Sequence, residues 1–222
     1  MKKLMIVLVI GLAKMGFAQT DAAISHATYK NVTSFDDYES ITVVNTTDET
    51  EGLVKIGHIS AMVLGSKIYT NKAEVEKKAF NKLKMAGAMI GASVIRMPNM
   101  VIKSKSGGAL LDFSADQELT GIAYAITPLD MEAFKKVVSA NAEYQSVNQI
   151  KINNRDAKFS TMDRNVKFRV NSIKKEDNAI MIAGDLKGES VKKFQVVAFD
   201  HDTFDVYFFD AFATYRMKFK IN

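Results

Sequence analysis

The alternation of apolar and polar residues changes period twice along this 222-residue chain. The first region reads as short β-branched runs. "ITVVN" (41–45) and "LVKIGHISAMVLG" (53–65) predict strands on either side of an acidic turn, "TTDETEG" (46–52). Gly57 inside the second run marks a bulge or a close backbone approach. From residue 71 the period becomes helical. Val75, Ala79, Leu83, Ala86, Gly87 and Ile90 fall on one face, while Glu74, Lys77, Lys78, Asn81 and Lys84 fall on the other. Thr70 or Asn71 supplies the N-cap, with Glu74 in the capping-box position relative to Asn71. Gly91 takes the position after the last turn, where positive φ costs glycine little. Three more strands follow at 92–105, 109–113 and 119–126, with Pro98 implying an edge or bulge in the first. The small residues Ala79, Ala86 and Gly87 thin the helix along its apolar face, which predicts close docking on its own sheet.

After Pro128 the pattern changes again. Met131, Phe134, Val137 and Val138 have helical spacing and predict a short connector within 127–144. From 146 onward the period is two. Val166, Phe168 and Val170 alternate with Lys167, Arg169 and Asn171; Tyr215, Met217, Phe219 and Ile221 alternate with Arg216, Lys218 and Lys220. Between them lie strand candidates at 179–186, 192–199 and 204–209, joined by connections short enough for hairpins. The expected fold class is α+β. A small β-α-β-β unit (41–127) is followed by a mostly antiparallel β barrel or sandwich of about six strands (128–222). Residues 19–40 read as an irregular arm.

The first eighteen residues change the charge reading. Lys2 and Lys3 precede an apolar run, Leu4–Ala13, and Gly16-Phe17-Ala18 places small residues at −3 and −1 of a cut before Gln19. That is the layout of a secretory signal peptide; the run is about half the length a spanning helix needs. The expected location is periplasmic or secreted. The chain has no cysteine, which removes disulfides, thiolate ligands and a lipidated thiol. Cleavage removes Lys2, Lys3 and Lys14 and no acid, leaving 27 Lys and Arg against 25 Asp and Glu. The basic pI then reflects the leader in part, and nucleic acid is not an expected partner.

Residues 41–126 resemble the YbjQ-like family, which carries a heavy-metal-binding label. The resemblance rests on a strand with an internal glycine ("KIGHIS", 55–60), the helix "AFNKLKMAGAMIGASVI" (79–95) running into Gly91-Ala92-Ser93-Val94-Ile95, and a closing strand with Gly121-Ile122-Ala123-Tyr124. It implies a compact β-α-β-β unit that assembles into symmetric rings, so a homo-oligomer is an expected partner state. The matching region has no cysteine and one histidine, His58, a thin donor set for a metal. The C-terminal unit resembles no named family.

Candidate chemistry is sparse. His58 is a lone strand histidine. "FDHDTFD" (199–205) offers Asp200, His201, Asp202 and Asp205 as metal ligands, without the EF-hand's central glycine and terminal glutamate; a polar hairpin tip explains the same residues. Lys167, Arg169, Arg216, Lys218 and Lys220 are candidates for a basic face that meets an anionic surface or an envelope protein. Asp112, Asp116 and Glu118 near one turn are the nearest thing to a carboxylate pair. Phosphate loops, nucleophile elbows and HExxH are missing from the sequence, so no catalytic residue is expected and no cofactor is assigned. The expected function is an exported, non-enzymatic binding or assembly protein of the cell envelope or secreted space. The alternative is a small-ligand or metal-ion carrier that uses the C-terminal β unit.

Overall fold

A computed structural model describes residue 29 and residues 34–63, 72–98, 117–153, 158–210 and 213–221. The leader, the helix caps at Thr70 and Asn71, the strand at 109–113 and the carboxylates Asp112 and Asp116 lie outside the described residues.

The first unit is a four-stranded sheet with one long helix. β1 (Thr42–Val44), β2 (Val54–Val63), β3 (Val94–Arg96) and β4 (Gln117–Ala125) stand in the order β1-β3-β4-β2. β1 and β3 are parallel; β3 and β2 are each antiparallel to β4. A 3-10 turn, Phe35–Ser40, begins from Ser34, whose side chain accepts from the Asp36 N–H. Helix α1 (Lys72–Met89) packs on β2 and β4 through Val75, Ala79, Leu83 and Ile90, all buried as the period predicts. The bulge at Gly57 is present, between Lys55 and Gly57 of β2.

The helix ends in a Schellman arrangement. The Ala92 N–H donates to Gly87 O at 2.9 Å and the Gly91 N–H to Ala88 O at 3.2 Å, with Gly91 at φ 78°. Gly87 is thin for a steric reason. A Cβ there would stand 2.9 Å from Ile95 Cδ1 and 3.3 Å from Ile41 Cδ1.

The second unit starts with α2 (Met131–Val137), capped by Asp130, whose carboxylate accepts from the N–H groups of Glu132 and Ala133. Seven strands follow: β5 (Glu143–Asn153), β6 (Phe159–Met162), β7 (Lys167–Glu176), β8 (Ala179–Leu186), β9 (Lys193–Phe199), β10 (Thr203–Phe209) and β11 (Ala213–Lys220). They form one antiparallel sheet in the order β11-β10-β9-β8-β7-β5-β6, and β11 also pairs with β5. The connector helix matches its apolar spacing, Met131 to Val138, whereas β5 and β6 are strands that the periodicity did not resolve. β5 carries inward polar residues, Ser146 and Gln149, and its register with β11 shifts near Ser146, so no single alternation runs its length.

The inner face of this sheet is filled. Phe134, Phe168, Phe194, Phe204 and Phe219 are almost fully buried, and Phe204 contacts Phe134, Tyr144 and Phe219 through their rings. The outer face is not uniformly wet. Met85, Ala88 and Met89 of α1 are buried with Ile152 and Val197 of the second unit in one cluster. The single stripe on α1 is therefore only part of its buried surface.

Candidate functional site

A groove of about 790 Å³ lies between the two sheets. Ile90 and Gly91 at the end of α1 and Pro128 and Leu129 of the connection form one side; Ile150 and Val197 from the outer face of the second sheet form the other. Gly91 belongs here for two reasons. Its φ is positive, and a Cβ would meet the Val197 carbonyl oxygen at 3.0 Å.

Charge at the base of the groove is paired. Arg216 Nε donates to Asp205 Oδ2 at 2.8 Å, and Arg216 Nη2 lies 2.8 Å from the same oxygen. Arg216 Nη1 donates to Ala88 O at 2.9 Å, so a strand of the second unit satisfies a C-terminal carbonyl of α1. Lys218 Nζ stands 3.9 Å from Asp205 Oδ1 at the wetter side. This corrects two readings. Arg216 is 4% exposed and belongs to no solvated basic face, because α1 covers its part of the outer surface. Asp205 is turned into this ion pair and does not join the histidine and aspartates of the nearby hairpin.

Those hairpin residues do meet. Asp200, His201 and Asp202 are exposed at the β9–β10 turn, with their ligand atoms within 4.8 Å of one another. Asp200 Oδ1 accepts from the N–H groups of Asp202 at 2.8 Å and Thr203 at 2.7 Å, which holds its carboxyl below the ordinary range; His201 Nε2 lies 3.0 Å from Asp202 Oδ2. These bonds define a turn held by its own aspartate. His58 is elsewhere, exposed on β2 beside a smaller cleft of about 360 Å³ between that strand and β10. Glu118 lines the same cleft.

The remaining basic candidates are interleaved with acids. Lys220, Gln145 and Lys167 stand in one cross-strand row, and Glu143, Arg169 and Asp185 in the next. Lys167 Nζ is 2.6 Å from Glu143 Oε1, and Lys192 Nζ 2.5 Å from Asp185 Oδ1, which lowers the Asp185 pKa. The result is a mixed-charge lattice rather than a positive field.

Sequence reasoning missed a polar network at one end of the second sheet. Arg164 bonds Gln149 Oε1 and lies 2.9 Å from Glu189 Oε1; the Tyr215 hydroxyl donates to Asp210 Oδ2 at 3.0 Å, and Val166 N–H donates to Ser146 Oγ at 2.9 Å. Burial first, then the Asp210 bond, pushes the Tyr215 phenol up to about 12. These groups satisfy one another, as a structural lock requires. The available signal was the pair of polar residues, Ser146 and Gln149, at inward positions of a strand. Comparison with family models, with curated proteins and with solved structures gives no match for this chain.

Proposed function

We propose that this chain is an exported, non-enzymatic binding or assembly module of the cell envelope or secreted space. In this reading a YbjQ-like β-α-β-β unit is docked on an antiparallel barrel. The pairing of β5 with both β7 and β11 supports closure, giving a six-stranded ring with β6 beside it. The observation that carries the proposal is where space is found. Aromatic rings fill the inside of the β unit, while the open groove of about 790 Å³ lies outside it, between the sheets. A carrier that holds its ligand within the β unit would need the volume that Phe168, Phe194, Phe204 and Phe219 occupy. The groove has walls of mixed polarity, with Asn148, Thr161, Asn178 and Gln195 beside Ile90, Ile150 and Val197, and a neutralised ion pair, which suits holding a body with apolar and polar parts rather than moving protons. The leader supports export, and a cysteine-free chain with two packed cores is compatible with an oxidising compartment.

The test is native mass spectrometry of the protein purified from its own host, with intact-mass analysis after denaturation. The expected result is a chain beginning at Gln19 that carries extra mass in the native state, as a retained ligand or as further subunits. A bare single chain still beginning at Met1 would overturn both export and binding.

A further inference from the structure

One donor beside the polar network of the second sheet is poorly served. Gln149 is 2% exposed and points inward from β5. Its amide oxygen accepts from Arg164 Nη1. Arg164 is itself fixed twice more: its Nη2 lies 2.9 Å from Glu189 Oε1, and its carbonyl accepts from the Ser146 hydroxyl. The Gln149 amide nitrogen fares differently. Among the described residues its partner is Met162 Sδ, at 4.0 Å, opposite Gln149 in the β5–β6 register. A thioether is a weak acceptor, and a buried amide donor left with a weak partner forfeits most of what a bond to water would give it. Flipping the amide to find a better partner would turn its oxygen away from Arg164.

The thioether has a second property. Met162 ends β6 and is 43% exposed, whereas Met85, Met89, Met97 and Met217 are buried. Its side chain therefore meets solvent on one side and the Gln149 amide on the other. We propose that Met162 is an oxidation site for hydrogen peroxide and that the Gln149 amide holds the sulfoxide oxygen. In the step, a sulfur lone pair bonds one peroxide oxygen, the O–O bond breaks, and the proton on the transferred oxygen passes to the departing hydroxide. Sulfur is oxidised by two electrons, the peroxide is reduced, and water leaves. A separation of 4.0 Å is long for a bond to sulfur but leaves room for an added oxygen. Turned toward Gln149 by the soft torsions of methionine, that oxygen comes within about 2.7–3.2 Å of Nε2, an ordinary N–H···O length. Methionine oxidation commonly disrupts packing, because it makes an apolar side chain polar. Here the new polar group stands at the surface and meets a donor short of a partner, so the change does not weaken the folded state. The modification needs neither the groove nor a binding partner, and it is tested apart from the function proposed above.

The experiment treats the full mature chain with hydrogen peroxide, follows each methionine by peptide mass mapping and reads the Gln149 side-chain amide by NMR. Met162 should gain an oxygen about tenfold faster than Met85, Met89, Met97 and Met217. Its oxidation should move the Gln149 amide proton signals and slow their exchange with water. Met162→Leu, treated alongside, subtracts the effect of the other methionines on the melting temperature. The difference should show that a sulfoxide at Met162 does not lower the midpoint, whereas in Gln149→Leu it does. Should Gln149→Leu fail to fold, Gln149→Glu keeps an acceptor for Arg164 and lacks the amide N–H groups. The proposal is overturned if Met162 reacts no faster than the buried methionines, if the Gln149 amide signals stay in place, or if the melting shift is the same with and without that amide.

Discussion

The two units build their cores in opposite ways. The second is self-contained: its buried cluster, from Phe134 to Phe219, is drawn entirely from its own strands and connector helix. The first is shared. Its cluster joins Leu83, Met85 and Met89 of α1 to Ile152 and Val197 of the other sheet. A closed set of aromatic rings needs nothing outside itself. A thin helix on four strands leaves a second face to cover, and the neighbouring sheet covers it. The first unit therefore depends on the second more than the reverse.

The strongest way to break this comparison is at the seam. Arg216→Met leaves Asp205 as a buried carboxylate with Lys218 Nζ 3.9 Å away and leaves Ala88 O without its strand donor. Removing one member of a buried pair costs about 3–5 kcal/mol, and Lys218 holds the loss toward the lower figure. Hydrogen exchange read by mass spectrometry should show residues 72–97 losing protection well before residues 159–219. Equal loss in both regions would mean that the cores are not separable. The paired replacement of Asp205 and Arg216 by apolar residues should cost less than Arg216→Met alone, because no charge is then stranded.

A smaller effect sharpens the first unit's side. Gly87→Leu pushes side-chain atoms into Ile95 and Ile41, where even a Cβ is too close. Overpacking of this kind costs about 1–3 kcal/mol. The expected outcome is a lower midpoint for the first unit in urea, with the protection of β7 to β11 unchanged. An unaltered midpoint would refute the close docking of α1.

How much of this was legible follows from the same contrast. The strands from β7 to β11 could be read because Phe168, Val170, Phe194, Phe204 and Phe219 alternate with polar residues on a face that is wet over most of its area. The stripe Val75, Ala79, Leu83 and Ile90 and the stop at Gly91 could be read because α1 meets its own sheet with a helical period. Met85 and Met89 were not assigned to a second contact, since a periodicity says which residues are apolar and not which neighbour covers them. Arg216 misled for the complementary reason. Its alternation places it on the outer face, and only the tertiary arrangement puts α1 over that face. The groove was invisible because residues from the end of α1, the connection and β5, β9, β10 and β11 converge on it from across the chain.

The smallest effect lies at the tip of the self-contained unit. Two backbone N–H groups, from Asp202 and Thr203, hold the Asp200 carboxyl below its ordinary value. A depressed folded-state pKa gives stability that is present above the unfolded pKa, about 3.9, and lost as pH falls through the lower folded value. The carboxylate is exposed, so solvent keeps the contribution small. NMR titration of the Asp200 side-chain carbon should place its midpoint below that of an unstructured aspartate. Asp200→Asn keeps an acceptor oxygen at the turn but removes the titrating group. It should flatten the acid limb of the stability curve for the β9–β10 hairpin and leave residues 72–97 unaffected. If the variant shifts the first unit's acid transition instead, acid sensitivity is transmitted across the seam, and the second unit is not independent at its hairpin tip.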